Sequence, residues 1–361
     1  MRLLRGLHID VPLLIALLTV ITAGLFILYS ASGEDLDAVG RQVIRLGIAF
    51  AVMVTVAQVS PQTLRRWTPR VFVFGVLLLI AVLVIGEIGK GAQRWLDLGI
   101  VRFQPSELMK LAVPMMIAWY LAETSLPPRP LHLFVSLVLI GVPFVLVAKQ
   151  PDLGTSLLIA SAGFFTLFLA GLRWRILAGG LLLVLAMAYP VWHYVLHDYQ
   201  RMRVLTFLNP ERDPLGAGYH IIQSVIAVGS GGMYGKGWLN GTQSQLDFLP
   251  ERHTDFIFAV ISEEFGLFGV LLLLALYTFI VVRGLYIALQ AQDTYSRLLA
   301  GSLSLTFFVY VFVNTGMVIG LLPVVGLPLP LISYGGTSMV TLMAGFGMLM
   351  SIHTHRKLLS P

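Results

Sequence analysis

Residues 12–31 read PLLIALLTVITAGLFILYSA, a run of twenty positions without a charged side chain. A helix of about 20 apolar residues is long enough to cross the hydrocarbon core of a bilayer. The segment is too long for the apolar core of a cleaved signal peptide, and further apolar segments follow it. It therefore predicts a first transmembrane helix.

Similar apolar segments recur along the whole chain, without a long polar region that could form a separate domain. Hydrophobic residues make up 57% of the 361 positions and charged residues 12%, about half the charged share of an average soluble domain. The lack of cysteine excludes disulfide bonds and thiolate metal sites. The net charge of +6 comes from basic residues scattered between apolar segments, which argues against a nucleic-acid-binding surface.

We predict an all-α, polytopic integral membrane protein in which residues 1–361 form a single domain. An even number of spans places both termini on one side of the membrane. Lys and Arg are equally numerous on the two sides of the membrane. On the side opposite the termini, however, some of them lie in one long loop and others lie within spans, and the positive-inside rule discounts both groups. Both termini are therefore predicted to be cytoplasmic. The ten transmembrane helices are expected at residues 12–31, 39–59, 71–88, 105–122, 132–149, 153–171, 175–196, 256–282, 298–322 and 337–353.

The longest connection covers residues 197–254, between the seventh and eighth spans, and is predicted to lie on the outer face. A connection of this length in a compact protein is usually functional or disordered. It contains a mildly apolar stretch, residues 221–228, followed by a glycine-rich turn at residues 229–232. We therefore expect an ordered cap that lies on the membrane.

Charged residues within or beside spans are costly to bury, so each is a candidate functional residue. Glu107 and Lys110 lie three positions apart, on one face of the fourth predicted span. They could form an ion pair that cancels its own burial cost. Alternatively, Lys110 could bind an anionic head group while Glu107 orients the ammonium group. The spacing alone favours neither interpretation.

Further candidate contacts lie in the connections on either side of the fourth and fifth spans. Arg94 and Trp95 place a guanidinium beside an indole at the outer interface, where Trp is more often a membrane-interface anchor than a sugar-binding surface. Lys149 ends the fifth span, and Asp152 follows in a tight turn. Capping of the next helix is the simplest interpretation of Asp152.

The most informative polar stretch is residues 250–256, PERHTDF, where the long loop returns to the membrane. We expect Asp255 in the first turn of the eighth span, where it could satisfy backbone N–H groups. Alternatively, Asp255 could be a general base at the outer membrane surface. The helix dipole would keep such a base ionised but would also weaken its basicity. Glu263 and Glu264 lie two turns deeper, and one of them could pair with a buried Lys or Arg.

Residues 322–338, LPVVGLPLPLISYGGTS, cannot form a helix because three prolines and three glycines interrupt them. The segment is nevertheless too apolar for a solvated loop. Irregular backbone at membrane depth occurs where it lines a cavity within the protein. The helix that starts near Thr337 would direct its N-terminus into that cavity, a favourable place for an anion. Ser333 is the candidate substrate contact of this segment.

Motifs over nearly the full chain resemble those of the SEDS family (shape, elongation, division and sporulation proteins). They occur in the family's order and show no clear departure from its pattern. They lie at residues 91–96, 104–107 with Lys110, 150–155, 209–210, 216–219, 223–224, 235–237, 250–256, 326–330 and 333–336. Residues 242–245 and 323–326 resemble the rod-shape branch of the family more than its division branch.

The resemblance implies a peptidoglycan glycosyltransferase that polymerises lipid II at the outer face of the cytoplasmic membrane of a bacterium during cell elongation. It implies Asp255 as the catalytic base, and a class B penicillin-binding protein and other membrane proteins of the elongation complex as partners. Lys110, Arg94 or a divalent cation (Mg²⁺ or Mn²⁺) would stabilise the pyrophosphate leaving group, although no carboxylate cluster demands a metal. The further candidate substrate contacts are Glu107, Trp95, Lys149, Asp152 and Ser333.

A transporter that flips a lipid-linked precursor across the membrane is the alternative function. A cavity, intramembrane charges and discontinuous backbone suit a transporter equally well. The long outer loop that ends on Asp255 favours the enzyme, since a flippase needs no base on one face. A non-catalytic scaffold would leave the intramembrane Lys and Glu unexplained.

Overall fold

The computed structural model describes residues 7–89, 92–97, 102–196, 198–212, 217–245 and 251–355, and these residues are nearly all helical. The longer helices are α1 (Val11–Ala31), α2 (Leu36–Gln58), α3 (Pro61–Ile85), α4 (Pro105–Ala122), α5 (Pro130–Ala148), α6 (Leu153–Leu169), α7 (Trp174–Pro190), α11 (Ile257–Leu289), α12 (Thr294–Val318) and α13 (Thr337–Thr354). Between α7 and α11 lie a π-helical turn (Val191–Val195), α8 (Asp198–Leu208), a 3-10 turn (Pro210–Arg212), α9 (Ala217–Ser230) and α10 (Thr242–Gln245).

Each of the ten predicted spans overlaps one of the longer helices. Among the described residues, seven helices are long and apolar enough to cross a membrane: α1, α2, α3, α5, α7 with its π-helical extension, α11 and α12. The helix α6 is also apolar but has 17 residues. The chain is therefore a multi-pass membrane protein.

Capping side chains and prolines mark most of the helix starts. Asp10 and Asp35 each accept a hydrogen bond from a backbone N–H in the first turn of α1 and α2. Pro61, Pro105 and Pro130 begin α3, α4 and α5, where the missing N–H leaves no helix hydrogen bond unmade. Because capping residues and prolines start some helices before the apolar run begins, α3 starts ten residues before the predicted span 71–88.

Three short strands add a small sheet, which was not predicted, to an otherwise helical fold. Strand β1 (Glu87–Gly89) pairs antiparallel with β2 (Ala92–Asp97), which pairs antiparallel with β3 (Arg102–Phe103). They form in the connection between α3 and α4. Pairing between strands stabilises them, and the local apolar pattern that predicts helices carries no sign of that pairing.

The helices α4 and α12 form the centre of the bundle. Most residues of both are buried, and α4 packs against α3, α6 and α12. The helix α13 lies along α2, where a Cβ on Gly347 would be 2.5 Å from Met53 O, so this crossing requires glycine. No described side chain of α7 is buried, and α7 therefore lies at the periphery.

A charged cluster joins the ends of α1, α11 and α13. Asp10 Oδ2 lies 2.6 Å from Arg283 Nη2 and 2.7 Å from His353 Nδ1. Burial alone would raise the pKa of the Asp10 carboxyl, but hydrogen bonds from His353 and Arg283 hold that pKa well below its ordinary value. The Asp10 carboxylate therefore stays ionised and bonded at neutral pH.

The described part of the predicted long loop is largely helical, and it packs on a break in α11. The predicted loop residues 197, 213–216 and 246–250 lie outside the described residues. Gly266 interrupts α11 with φ +62° and ψ −162°. Residues 232–237 exchange four backbone hydrogen bonds of 3.0–3.2 Å with residues 263–268. The loop backbone thus replaces helix hydrogen bonds that the break removes.

The two acids beside this break have different partners. Glu263 is fully buried and accepts a hydrogen bond from Lys236 Nζ at 2.7 Å, so one of the two acids pairs with a Lys as predicted, but this Lys is not a buried one. Lys236 comes from the loop and is 26% exposed. Glu264 accepts a hydrogen bond from Ser30 Oγ of α1.

Candidate active site

Asp255 is half-buried in the turn that leads into α11. The helix begins at Ile257 with Phe256 as its N-cap residue. The prediction that Asp255 lies in the first turn is therefore wrong by two positions. The chain is still turning at residues 251–256, where Phe256 N donates to Glu251 O at 3.4 Å, so α11 starts later than the apolar pattern indicates.

The non-helical C-terminal segment, residues 319–336, packs directly on this turn. Ser333 Oγ donates a hydrogen bond to Thr254 O at 2.6 Å and accepts one from Leu329 N at 2.8 Å. Ser333 is 3% exposed, so its hydroxyl holds protein backbone instead of facing an open cavity. The structure therefore brings Ser333 to the residue beside Asp255.

Gly326 brings the same segment against the Asp255 carboxylate. Its φ is +72°, and a Cβ at this position would lie 3.6 Å from Asp255 Oδ2. A Cβ on Gly154 would lie 2.7 Å from Val325 O. Residues 325–327 thus approach both Asp255 and the start of α6, where a second polar cluster lies.

The second cluster joins Arg94 of β2 to Asp152 at the start of α6. Asp152 Oδ1 accepts a hydrogen bond from Thr155 N at 3.2 Å, which confirms the predicted cap. Asp152 Oδ2 lies 3.7 Å from Arg94 Nη1 and 3.3 Å from Gln104 Nε2. Arg94 Nε also donates to Gln150 O at 3.3 Å. The Arg94 side chain is 30% exposed.

Glu107 and Lys110 form a buried ion pair near the start of α4. Lys110 Nζ lies 2.7 Å from Glu107 Oε1, and the two side chains are 5% and 6% exposed. Lys110 Nζ also lies 5.2 Å from the centre of the Tyr310 ring on α12. The cavity beside Lys110 measures about 30 Å³, room for a water molecule and not for a diphosphate. This geometry favours the ion-pair interpretation.

Two predicted contacts lie apart from these clusters. Trp95 is on β2 opposite Glu87 and is partly exposed. Lys149 is the C-cap residue of α5, and its side chain is exposed. Among the described residues, no hydrogen bond or ion pair joins either side chain to Glu107, Lys110, Arg94 or Asp152.

The sequence reasoning missed a polar pocket of about 380 Å³ that includes the residues just before Asp255. Its polar lining consists of Arg41, Arg252, His253, Tyr334, Asp35, Glu251 and Ser32. Arg41 Nε donates to Tyr334 Oη at 3.3 Å, and the Arg45 guanidinium lies 4.4 Å from the centre of the Tyr334 ring. A signal was available, because Arg41 and Arg45 lie inside the second predicted span and charges within spans mark functional sites.

Comparison with curated proteins finds close relatives of known class. Residues 9–358 match the profile of the cell cycle proteins FtsW, RodA and SpoVE. The chain is 56% identical to the peptidoglycan glycosyltransferase MrdB of Escherichia coli K12, over 98% of this chain and 95% of the relative. It is 35% identical to the probable peptidoglycan glycosyltransferase FtsW of Geobacter metallireducens, over 96% of this chain and 95% of that protein.

Two solved structures share the fold. A chain of a peptidoglycan synthase complex, described for its coordination of polymerization and crosslinking, superposes with a TM-score of 0.84 at 34% identity, covering 96% of this chain and 99% of that chain. The Thermus thermophilus rod shape determining protein RodA superposes with a TM-score of 0.73 at 29% identity, covering 96% of this chain and 98% of that chain.

Proposed function

The chain belongs to the FtsW/RodA/SpoVE family, and from this membership we infer that it is a peptidoglycan glycosyltransferase that polymerises lipid II. The half-buried Asp255 is the observation from which we assign this activity to a particular site. Asp255 lies two residues after His253, which lines the polar pocket together with Arg252, and Oδ2 of Asp255 lies 3.6 Å from the Cβ position of Gly326. A carboxylate beside basic side chains suits a reaction that removes a proton and releases a diphosphate.

In this mechanism Asp255 is the general base. The 4-hydroxyl of an acceptor GlcNAc attacks the anomeric carbon of the donor glycan. The bond from that carbon to the polyprenyl diphosphate breaks, and its electron pair leaves with the diphosphate. Asp255 takes the hydroxyl proton as the glycosidic bond forms, and the anomeric configuration inverts. A general base of this kind typically raises the reaction rate by about 10²–10⁴-fold.

Positive charge near Asp255 would stabilise the departing diphosphate. Arg41 and Arg252 line the adjacent pocket, and Arg94 is accessible in the second cluster. Lys110 is a weaker candidate, because it is buried against Glu107. The described residues contain no group of three or more His, Asp or Glu side chains placed to hold a metal ion. Mg²⁺ or Mn²⁺ is proposed as a further source of positive charge for the departing diphosphate.

The proposed topology has ten transmembrane helices, α1–α7 and α11–α13, in one membrane domain. Both termini are cytoplasmic, residues 197–254 lie outside, and the membrane is the inner membrane of a bacterium. The positive-inside rule supports this orientation. Asp255 then lies at the outer membrane surface, where it can act on the sugars of lipid II.

The proposed partner is a class B penicillin-binding protein, whose transpeptidase activity would cross-link the new strands, within a complex of elongation proteins. The structural relative of TM-score 0.84 supports this proposal, because it belongs to a synthase complex that coordinates polymerization and crosslinking.

Purified protein given labelled lipid II, with and without its penicillin-binding partner, tests the proposed function. A polymerase produces a ladder of glycan strands on a gel. A transporter would instead move labelled lipid II between the leaflets of a proteoliposome and leave it monomeric. That second result would contradict the proposed function.

A further inference from the structure

We propose that Asn314 is a positioning residue for Asp255, an inference that rests on the proposed role of Asp255 as the base. Asn314 lies on α12, one turn before the end of that helix, and its side chain is fully buried. Its Nδ2 donates hydrogen bonds to Asp255 O at 2.9 Å and to Leu327 O at 2.7 Å. One amide group therefore joins three separate parts of the chain.

The chemistry of the partners fixes the orientation of this amide. Both partner atoms are backbone carbonyl oxygens, which can only accept hydrogen bonds, so the NH₂ group must face them. The NH₂ group of Asn314 therefore binds two backbone carbonyl groups, while its buried Oδ1 has no hydrogen-bond partner among the described residues.

The carbonyl of Asp255 needs such a donor because it lies just outside α11. In a continued helix the N–H of Ala259 would donate to Asp255 O, but it donates to Phe256 O at 2.9 Å instead. The Asn314 amide supplies the missing donor from a neighbouring helix. It therefore fixes the peptide plane on the C-terminal side of the Asp255 Cα.

The peptide planes before Asp255 are held in the same way by the C-terminal segment. Tyr334 N donates to His253 O at 2.9 Å, and Ser333 Oγ donates to Thr254 O at 2.6 Å. Three consecutive carbonyl groups therefore each accept a hydrogen bond from outside their own turn. This arrangement fixes the direction in which the Asp255 Cα–Cβ bond points.

Asn314 also positions the backbone segment that lies opposite the Asp255 carboxylate. Its second partner, Leu327, follows Gly326, the residue whose Cβ position lies 3.6 Å from Asp255 Oδ2. The same amide therefore fixes the base and the segment opposite the base in relation to each other. A displacement of about 1 Å between reacting groups can cost about 10²-fold in rate.

The test uses the full-length protein with its penicillin-binding partner and labelled lipid II. Asn314→Leu keeps the approximate size but has no donor, whereas Asn314→Asp keeps the shape and, when ionised, can only accept hydrogen bonds. The control is Ser304→Ala on the same helix, because Ser304 is 3% exposed and its hydroxyl donates to Ala300 O within α12. We measure kcat and KM for lipid II, and the Tm of each purified variant.

Folded Asn314 variants should lose about 10²-fold in kcat with little change in KM, since a misplaced base weakens the transition state and not substrate binding. Ser304→Ala should keep both constants. A folded Asn314→Asp or Asn314→Leu protein with normal kcat would overturn the proposal, and so would a loss confined to KM. If neither variant folds, Asn314 is a stability residue and the proposal fails.

Asp255→Asn, measured alongside, separates this inference from the proposed function. If Asp255→Asn polymerises normally, the base assignment fails and this inference fails with it. If Asp255→Asn is inactive while the Asn314 variants are normal, the positioning role alone is rejected.

Discussion

Ser333 Oγ lies 2.6 Å from the carbonyl oxygen of Thr254, so a hydroxyl from the C-terminal segment holds the peptide that leads into Asp255. The two residues are 79 positions apart in the chain. The same hydroxyl accepts a hydrogen bond from Leu329 N, so it also shapes the irregular segment from which it comes. The candidate base and this segment are therefore one structural unit.

The first prediction concerns this hydroxyl. Ser333→Ala leaves Thr254 O and Leu329 N without their partner in a buried place, and should lower the free energy of unfolding by about 1–3 kcal/mol. Ser161→Ala is the control, because the partly buried Ser161 hydroxyl bonds only to Leu158 O of its own helix among the described residues. The Tm of each purified variant in detergent measures the effect. Equal Tm values for the two variants would contradict the assigned role of Ser333.

The second prediction concerns the ion pair of α4. Lys110→Met leaves Glu107 charged and buried without its partner, at a cost of about 3–5 kcal/mol. Adding Glu107→Gln removes that charge and should restore the Tm. As a control, Arg65→Met breaks an exposed pair with Glu123 and should cost about 0–1 kcal/mol.

Polymerisation by these variants separates the two interpretations of Lys110. If Lys110 and Glu107 are only a structural pair, activity should return together with stability in the double variant. A well-folded double variant that stays inactive would instead show that Lys110 contacts substrate.

The third prediction concerns the break in α11. Gly266 has φ +62° and ψ −162°, and a Cβ there would lie 2.3 Å from Gly235 N. Gly266→Ala should therefore lower the free energy of unfolding by about 1–3 kcal/mol from backbone strain, and the close contact with Gly235 N should add to this loss. Gly47→Ala is the matched control, since a Cβ on Gly47 in α2 would meet no atom within 4 Å. Similar Tm values for the two variants would show that the backbone contact between loop and helix is not rigid.

The fourth prediction concerns topology, and the lack of native cysteine makes it simple to test. Asn240→Cys, at an exposed position of the long loop, should react with a membrane-impermeant maleimide in intact cells. Leu358→Cys, near the C-terminus, should react only after the cells are permeabilised. The reverse pattern would place Asp255 on the wrong side of the membrane for lipid II polymerisation.

The helices could be predicted from the sequence because the apolar pattern is local. The predicted span 105–122 coincides with α4 (Pro105–Ala122), which begins at a proline and ends where the apolar run ends. The strands β1–β3 could not be predicted in this way, since each depends on pairing with another strand. Turn geometry also explains the error at Asp255, because the cap of α11 falls on Phe256, a residue type without capping preference.

The candidate base could be identified from its position and from the family resemblance, but its surroundings could not. Asn314 is one of several polar residues of α12, and its two partners lie 59 and 13 positions away. Nothing in the local sequence indicates which carbonyl groups it meets. Arg41 was detectable as a charge within a span, whereas its contact with Tyr334, 293 positions away, required the fold.

Asp255 is proposed to remove the proton from the acceptor hydroxyl. Asp255→Asn keeps the size of the side chain and can still accept a hydrogen bond, so the free energy of unfolding should change by no more than about 1 kcal/mol. The amide cannot take a proton at neutral pH. Loss of the base should therefore lower the rate of polymerisation by about 10²–10⁴.

The most direct measurement is the amount of glycan polymer that purified Asp255→Asn protein forms from labelled lipid II with its penicillin-binding partner, with Tm and lipid II binding measured on the same sample. We expect a normal Tm, normal binding and an amount of polymer reduced by about 10²–10⁴-fold. Near-normal polymer from this variant would contradict the proposed role of Asp255.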